Sequence, residues 1–133
     1  MFGGGAPDQV LHQLQRYHEE GRDELAEVMS SDLTEKLLMR KDRDEDDQQV
    51  LVKGLTILAQ ILYSRSKFKR ARATIRILHA ERRTLNKQNR QVDALILAED
   101  YRLAGKIHAA AGKKSAAKKA FGNDDVFLEK FIS

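Results

Sequence analysis

Cysteine and tryptophan are missing from this 133-residue chain, proline occurs once, and the aromatic side chains are five Phe and three Tyr. Each shortage excludes something. Without thiols there is no disulfide framework, no thiolate metal site and no cysteine nucleophile. Runs of alternating β-branched residues are absent, as are Asn-Gly and Asp-Gly turns, so strands and β-hairpins are not expected. No stretch approaches the roughly 20 apolar residues needed to cross a bilayer. Residues 1–6, before Pro7, lack the basic region and apolar core of a secretory signal and read as a loose leader, so the expected compartment is cytoplasmic. What is plentiful is Ala, Leu, Lys, Arg, Glu and Gln, with 41% apolar and 33% charged residues. Strong helix formers at this length predict a single all-α domain over residues 7–133.

Charge is unevenly spread. Residues 1–60 hold 13 acidic and 7 basic side chains, whereas residues 61–133 hold 7 acidic and 17 basic. A net +4 chain therefore has an acidic first half and a strongly basic second half. That asymmetry predicts an acidic partner for the second half, or complementarity between copies in a homo-oligomer.

Apolar periodicity predicts a succession of helices. Pro7 suits a first helical turn, followed by Val10, Leu11, Leu14 and Tyr17. After Gly21, Leu25, Val28, Met29, Leu33 and Leu37 mark a second helix to about Met39, which Ser30, Ser31 and Asp32 could split by capping. Residues 40–47 carry no apolar side chain and are expected to form a hinge. A third helix is expected from about Asp47 to Ser64 and a fourth from about Lys67 to Leu85, its apolar face supplied by Ile75, Ile77 and Leu78. Asn86 and Asn89 punctuate the next junction. A fifth helix from Val92 to Ala111 is expected to bury Leu95, Ile96, Leu103 and Ile107, with Gly112 as its stop. A short basic helix to Phe121 and a last helix over 124–132 complete the chain.

Three stretches share one plan: an apolar face, a short polar break, then an alanine opening a second apolar face. Aligned on Ala26, Ala71 and Ala117, the copies are 45 and 46 residues apart. Small residues at fixed offsets let antiparallel helices approach closely, predicting helical hairpins at about 7–39, 47–85 and 92–121. Leu55, Ala59, Phe68, Ala71 and Ile75 in the middle copy, and Tyr101, Gly105, Ala117 and Phe121 in the last, resemble the tetratricopeptide hairpin; Val10, Tyr17, Gly21 and Ala26 resemble it in the first. The copies depart from it in exceeding its length of about 34 residues, in lacking a closing proline, and in placing Lys114 at the turn aromatic. The resemblance implies an array of about three hairpins with a C-terminal cap, whose inner helices line a groove for another protein. It implies partner contacts at Lys53, Thr56, Gln60 and Tyr63, and at Glu99, Arg102, Lys106 and Ala109. Basic groups and a tyrosine there suit an acidic or amphipathic segment.

Few motifs point to chemistry. Asp42, Asp44 and Asp46 alternate as in a calcium loop, but Asp47 and Lys53 stand where its glycine and bidentate glutamate belong. Gly112-Lys113-Lys114-Ser115 lacks the earlier glycine of a phosphate loop. None of His12, His18, His79 and His108 has a partner at metal-binding helical spacing. No cofactor, metal or catalytic role is expected. The remaining alternative is nucleic acid. Lys67, Lys69, Arg70 and Arg72, then Arg76, Arg82 and Arg83, lie in a stretch from 65 to 90 with ten basic residues and one acid, followed by lysines at 113–119. Such density suits phosphates, but no stacking aromatics are interleaved. The expectation is a protein-binding adaptor, assembly factor or chaperone rather than an enzyme.

Overall fold

The structure is a computed structural model that describes residues 6–87 and 94–122. These form helices α1 (Pro7–Glu19), α2 (Asp23–Met39), α3 (Glu45–Ser64), α4 (Phe68–Lys87), α5 (Ala94–Ala110) and α6 (Lys114–Phe121), with no strand among them. The chain is all-α. Residues 1–5 of the expected leader, Asn89 and the expected helix over 124–132 lie outside the described residues, while α4 continues past Asn86.

Three reversals, α1–α2, α3–α4 and α5–α6, are built alike. At each, a residue in the left-handed region ends one helix: Gly21 (φ 75°), Ser66 (φ 60°) and Gly112 (φ 77°). The next amide reaches back six residues inclusive: Arg22 N–H to Tyr17 O, Lys67 N–H to Leu62 O and Lys113 N–H to His108 O, each 2.8 Å. This is the Schellman closure, which satisfies carbonyls that the helix end would leave bare. Four residues on, the amides of Ala26, Ala71 and Ala117 donate to the carbonyls of Arg22, Lys67 and Lys113 and start the second helix. The three alanines are fully buried. The spacings of 45 and 46 residues thus recur in the backbone hydrogen bonding itself.

So tight a turn presses the paired helices together, and side-chain size must answer. Gly105 meets the ring of Phe121 so closely that a β-carbon there would overlap it. The positions equivalent to this pair are Ala59 with Ile75 and Leu14 with Ser30, all buried. As one member grows from Gly to Ala to Leu, the other shrinks from Phe to Ile to Ser, as close packing requires. Gly54 serves a similar end between α2 and α3, where a β-carbon would lie 3.2 Å from Thr34 Cγ2.

At the centre is α3, which packs against α1, α2 and α4 and touches α5. Leu51, Val52, Leu55, Ala59, Ile61 and Leu62 on it are all but inaccessible. The second helix runs to Met39 as expected, and the alternative split at Ser30–Asp32 does not occur: Ser30 Oγ donates to Ala26 O (2.7 Å) and Thr34 Oγ1 to Ser30 O (2.8 Å), keeping the hydroxyls within the helix. Other expectations are corrected. Ile96, expected to be buried, is 41% exposed, and Val28 and Ile77, on the apolar faces of α2 and α4, are 51% and 38% exposed. The 40–47 hinge is a pinned corner. Asp44 caps α3 by accepting from Asp47 N–H (2.8 Å), so the helix starts at Glu45. Arg43 donates to the carbonyls of Leu37 (2.9 Å) and Arg40 (3.1 Å), to Gln48 Oε1 (2.8 Å) and to Glu81 of α4. One guanidinium thus closes the end of α2 and ties α3 to α4.

The packing at Gly105 and the backbone of Ser66 predict opposite effects. Gly105→Ala should lower stability by about 1–3 kcal/mol through overpacking against Phe121. Ser66→Gly should raise it by about 1 kcal/mol by relieving a left-handed non-glycine residue. Chemical denaturation of both variants against the parent measures each change.

Candidate functional site

The basic residues of α4 do not form one surface. At its start they are drawn to a single acid on α2. Glu27 Oε2 accepts from Lys67 Nζ (2.8 Å) and Arg70 Nη1 (3.2 Å), and Oε1 from Arg65 Nη1 (3.1 Å). Its side chain is 10% exposed. Burial pushes the Glu27 carboxyl up, but the bond and charge of Lys67, with Arg65 and Arg70, outweigh that and hold it below the ordinary value. Part of the opposite charge of the two halves is therefore spent inside the molecule. Lys69 is exposed beside this cluster and outside it.

Further along α4, Arg72, Arg76, His79 and Arg83 fall at successive turns of one face, toward α5 and α6. Both α4 and α6 pack on α5 but scarcely touch one another. Between them opens a cleft of about 870 Å³. Arg72, Arg76 and Arg83 line its α4 side, and Lys119, Ala120 and Phe121 its α6 side. Leu97, Ala98 and Tyr101 of α5 add apolar surface. Tyr101, aligned with buried Leu55 of the middle hairpin, is 49% exposed here.

Fixed interactions hold the cleft's base. Arg82 Nε donates to Asp100 Oδ2 (2.8 Å), joining α4 to α5 with side chains 11% and 4% exposed. Arg72 Nε donates to His108 Nδ1 (3.1 Å), which requires that nitrogen to be unprotonated. His79 lies tilted against Tyr101, ring centroids 5.4 Å apart, and its buried Nε2 has no hydrogen-bond partner among the described residues. Desolvation, aided by Arg72, Arg76 and His79, lowers the pKa of His108. Desolvation also lowers that of His79, where Asp100 opposes it and Arg83 and Arg82 reinforce it. Both imidazoles are kept neutral beside the arginines.

The residues expected to grip a partner are not gathered into one cavity. Lys53 and Gln60 are exposed along the one open stripe of α3. Thr56, on the same stripe, donates its hydroxyl to Val52 O (2.8 Å). Tyr63 is half-buried against Phe68, ring centroids 5.9 Å apart. Arg102 lines the cleft, whereas Lys106, one turn later and half-buried, does not. Sequence reasoning missed His79, Asp100, Tyr101, Lys119 and Phe121 as neighbours. The stripe on α4 was the available signal, but the position of α6 was needed to turn it into a cleft. Among the described residues no group of three His, Asp or Glu side chains could hold a metal ion, and no helix is long and apolar enough to cross a membrane. Compared with protein-family models, curated proteins and solved structures, the chain matches none.

Two predictions follow from these buried ionisable groups. Because the folded pKa of Glu27 is depressed, its stabilisation is complete above about pH 4.5, the ordinary glutamate value, and is lost as pH falls below it. Glu27→Gln should therefore cost roughly 1–3 kcal/mol at neutral pH and flatten the acid limb of a stability–pH profile. The depressed histidine values place a second loss higher: stability should fall as pH drops below about 6.5, the ordinary histidine value, when the unfolded chain takes up protons that the fold excludes. A thermal melt series from pH 7.5 to 5 should show this drop, and His79→Gln/His108→Gln should reduce it.

Proposed function

We propose that this chain is a protein-binding module that takes up an acidic amphipathic segment in the cleft between α4, α5 and α6. One observation carries the reading: apolar side chains of α5 and α6 share a single opening with the arginines of α4. A segment with an apolar face and acidic flanks would meet both demands at once. Burying its apolar side supplies affinity, and the charged wall sets orientation and speeds encounter. A concave, partly apolar site with a few placed polar groups is the usual form of a ligand pocket. Neutral His79 and His108 keep protonatable charge out of the base, leaving the arginines as the recognition groups.

The array is tetratricopeptide-like in this proposal, supported by three reversals of matching hydrogen bonding. It departs from the family expectation in the surface used: the cleft lies along the second helix of the middle and last hairpins, rather than along the open stripe of α3. Adaptor, assembly or chaperone duty would each use such capture.

Fluorescence anisotropy with a labelled helical peptide, glutamate on one face and leucine on the other, tests this. The parent chain should bind it. Arg76→Glu/Arg83→Glu should weaken binding at least about tenfold, or 1.4 kcal/mol. A peptide of the same composition with its apolar face scrambled should bind poorly. Equal binding of the scrambled peptide, or tighter salt-sensitive binding of single-stranded DNA, would overturn the reading and favour a nucleic-acid surface.

A further inference from the structure

We infer that the acidic amphipathic segment taken up by the α4–α5–α6 cleft is the outer face of α2 from a second copy of this chain. The inference rests on the cleft being a site for such a segment. Three observations point to this occupant.

The first is what α2 shows to the outside. It packs on α1 and α3 and buries Ala26, Met29, Leu33 and Leu37. On the opposite side, Glu24, Val28, Glu35 and Met39 share one stripe, since steps of four, seven and four residues return to nearly the same helical face. All four are exposed, and Met39, at 83%, is the most exposed large apolar side chain among the described residues. Lys36, beside the stripe, is answered within its own helix by Asp32 at 3.0 Å. An acidic, part-apolar helical surface is therefore already folded and uncovered. As a preformed helix it docks without the ordering cost that a free peptide meets.

The second is which charges go unanswered. Among the described residues the side chains of Glu24 and Glu35 make no hydrogen bond or ion pair, and neither do those of Arg76, Arg83 and Lys119 at the cleft. By contrast, Glu27, Glu81 and Asp100 are each met from a neighbouring element. The stripe does not line the cleft, so the free carboxylates and free cations of one molecule do not meet each other. A second copy brings them together.

The third is spacing. Glu24 and Glu35 are eleven residues apart, and so are Arg72 and Arg83 on the α4 wall. On each helix that is about 16 Å. Val28, between the two acids, and Met39 beyond them would find the apolar surface of Leu97, Ala98 and Tyr101. Tyr101 is itself 49% exposed.

The consequence is self-assembly. The α2 stripe and the cleft are different surfaces, so a copy that gives its α2 still has an open cleft. Growth beyond a pair follows unless the copies close on one another.

Sedimentation velocity over a concentration series tests this. The parent should gain mass as concentration rises. Glu24→Lys/Glu35→Lys and Arg76→Glu/Arg83→Glu should each weaken association at least about tenfold, or 1.4 kcal/mol. All four residues are exposed, so both variants keep the fold. Mixing the two should restore assembly, because the reversed stripe of one then faces the reversed cleft of the other. A parent that stays monomeric, association that survives the stripe reversal, or a mixture that does not assemble would overturn the inference. The glutamate–leucine peptide separates it from the reading beneath. Glu24→Lys/Glu35→Lys leaves the cleft unaltered and should bind the peptide as the monomeric parent does. Peptide binding beside a parent that never associates would overturn the second copy as occupant and leave the peptide site intact. Failure of this variant and the parent to bind the peptide would overturn the site, and the inference with it.

Discussion

Everything in this fold follows from how closely two helices must lie when the chain reverses through a single left-handed residue. The Schellman closures at Gly21, Ser66 and Gly112 leave no slack between paired helices. The second helix of each pair begins with a buried alanine, and at the aligned buried positions a larger residue on one helix goes with a smaller one on the other. Gly105 with Phe121 is the extreme case. Because Phe121 lies over Gly105, α6 is held down on α5, and an aromatic edge is left at the border of the cleft. The steric rule that builds the hairpin also shapes the opening beside it.

Between hairpins, charge is added to close packing. Glu27 draws together three cations at the α3–α4 reversal, Arg43 links the corner after α2 to Glu81, and Arg82 meets Asp100 across α4 and α5. Each carboxylate lies on a helix and is answered from a neighbouring helix or the loop beside it. A buried pair of this kind is weak evidence of stability by itself, since desolvation offsets much of the attraction. Its value is in register: removing one partner strands the other. These three links fix how the hairpins sit relative to one another, and hence how far α4 stands from α6. The arginines that remain on the α4 wall are those facing the cleft.

Much of the fold was legible in the residues. Helix formers, the missing strand signals and the alignment on Ala26, Ala71 and Ala117 lead to three all-α hairpins, since period and residue size act locally along the chain. Residues 40–47 misled because a segment without apolar side chains looks mobile, whereas Arg43 finds five acceptors only once α2, α3 and α4 surround it. Ile96 misled for the opposite reason. An apolar residue at helical spacing is buried only where another helix arrives to cover it.

The sequence by itself determined the helices, their pairing and the positions where small residues are obligatory, because backbone hydrogen bonding and side-chain volume act within each hairpin. Tertiary structure alone decided which charges survive. From Arg65 to Arg83 the chain shows one basic run, but the fold divides it: Arg65, Lys67 and Arg70 are drawn to Glu27, Arg82 to Asp100, and Arg72, Arg76 and Arg83 are turned to the cleft. Coulombic attraction depends on distance in space, and the acid that claims the start of that run lies about forty residues earlier, on a helix brought beside it only by folding.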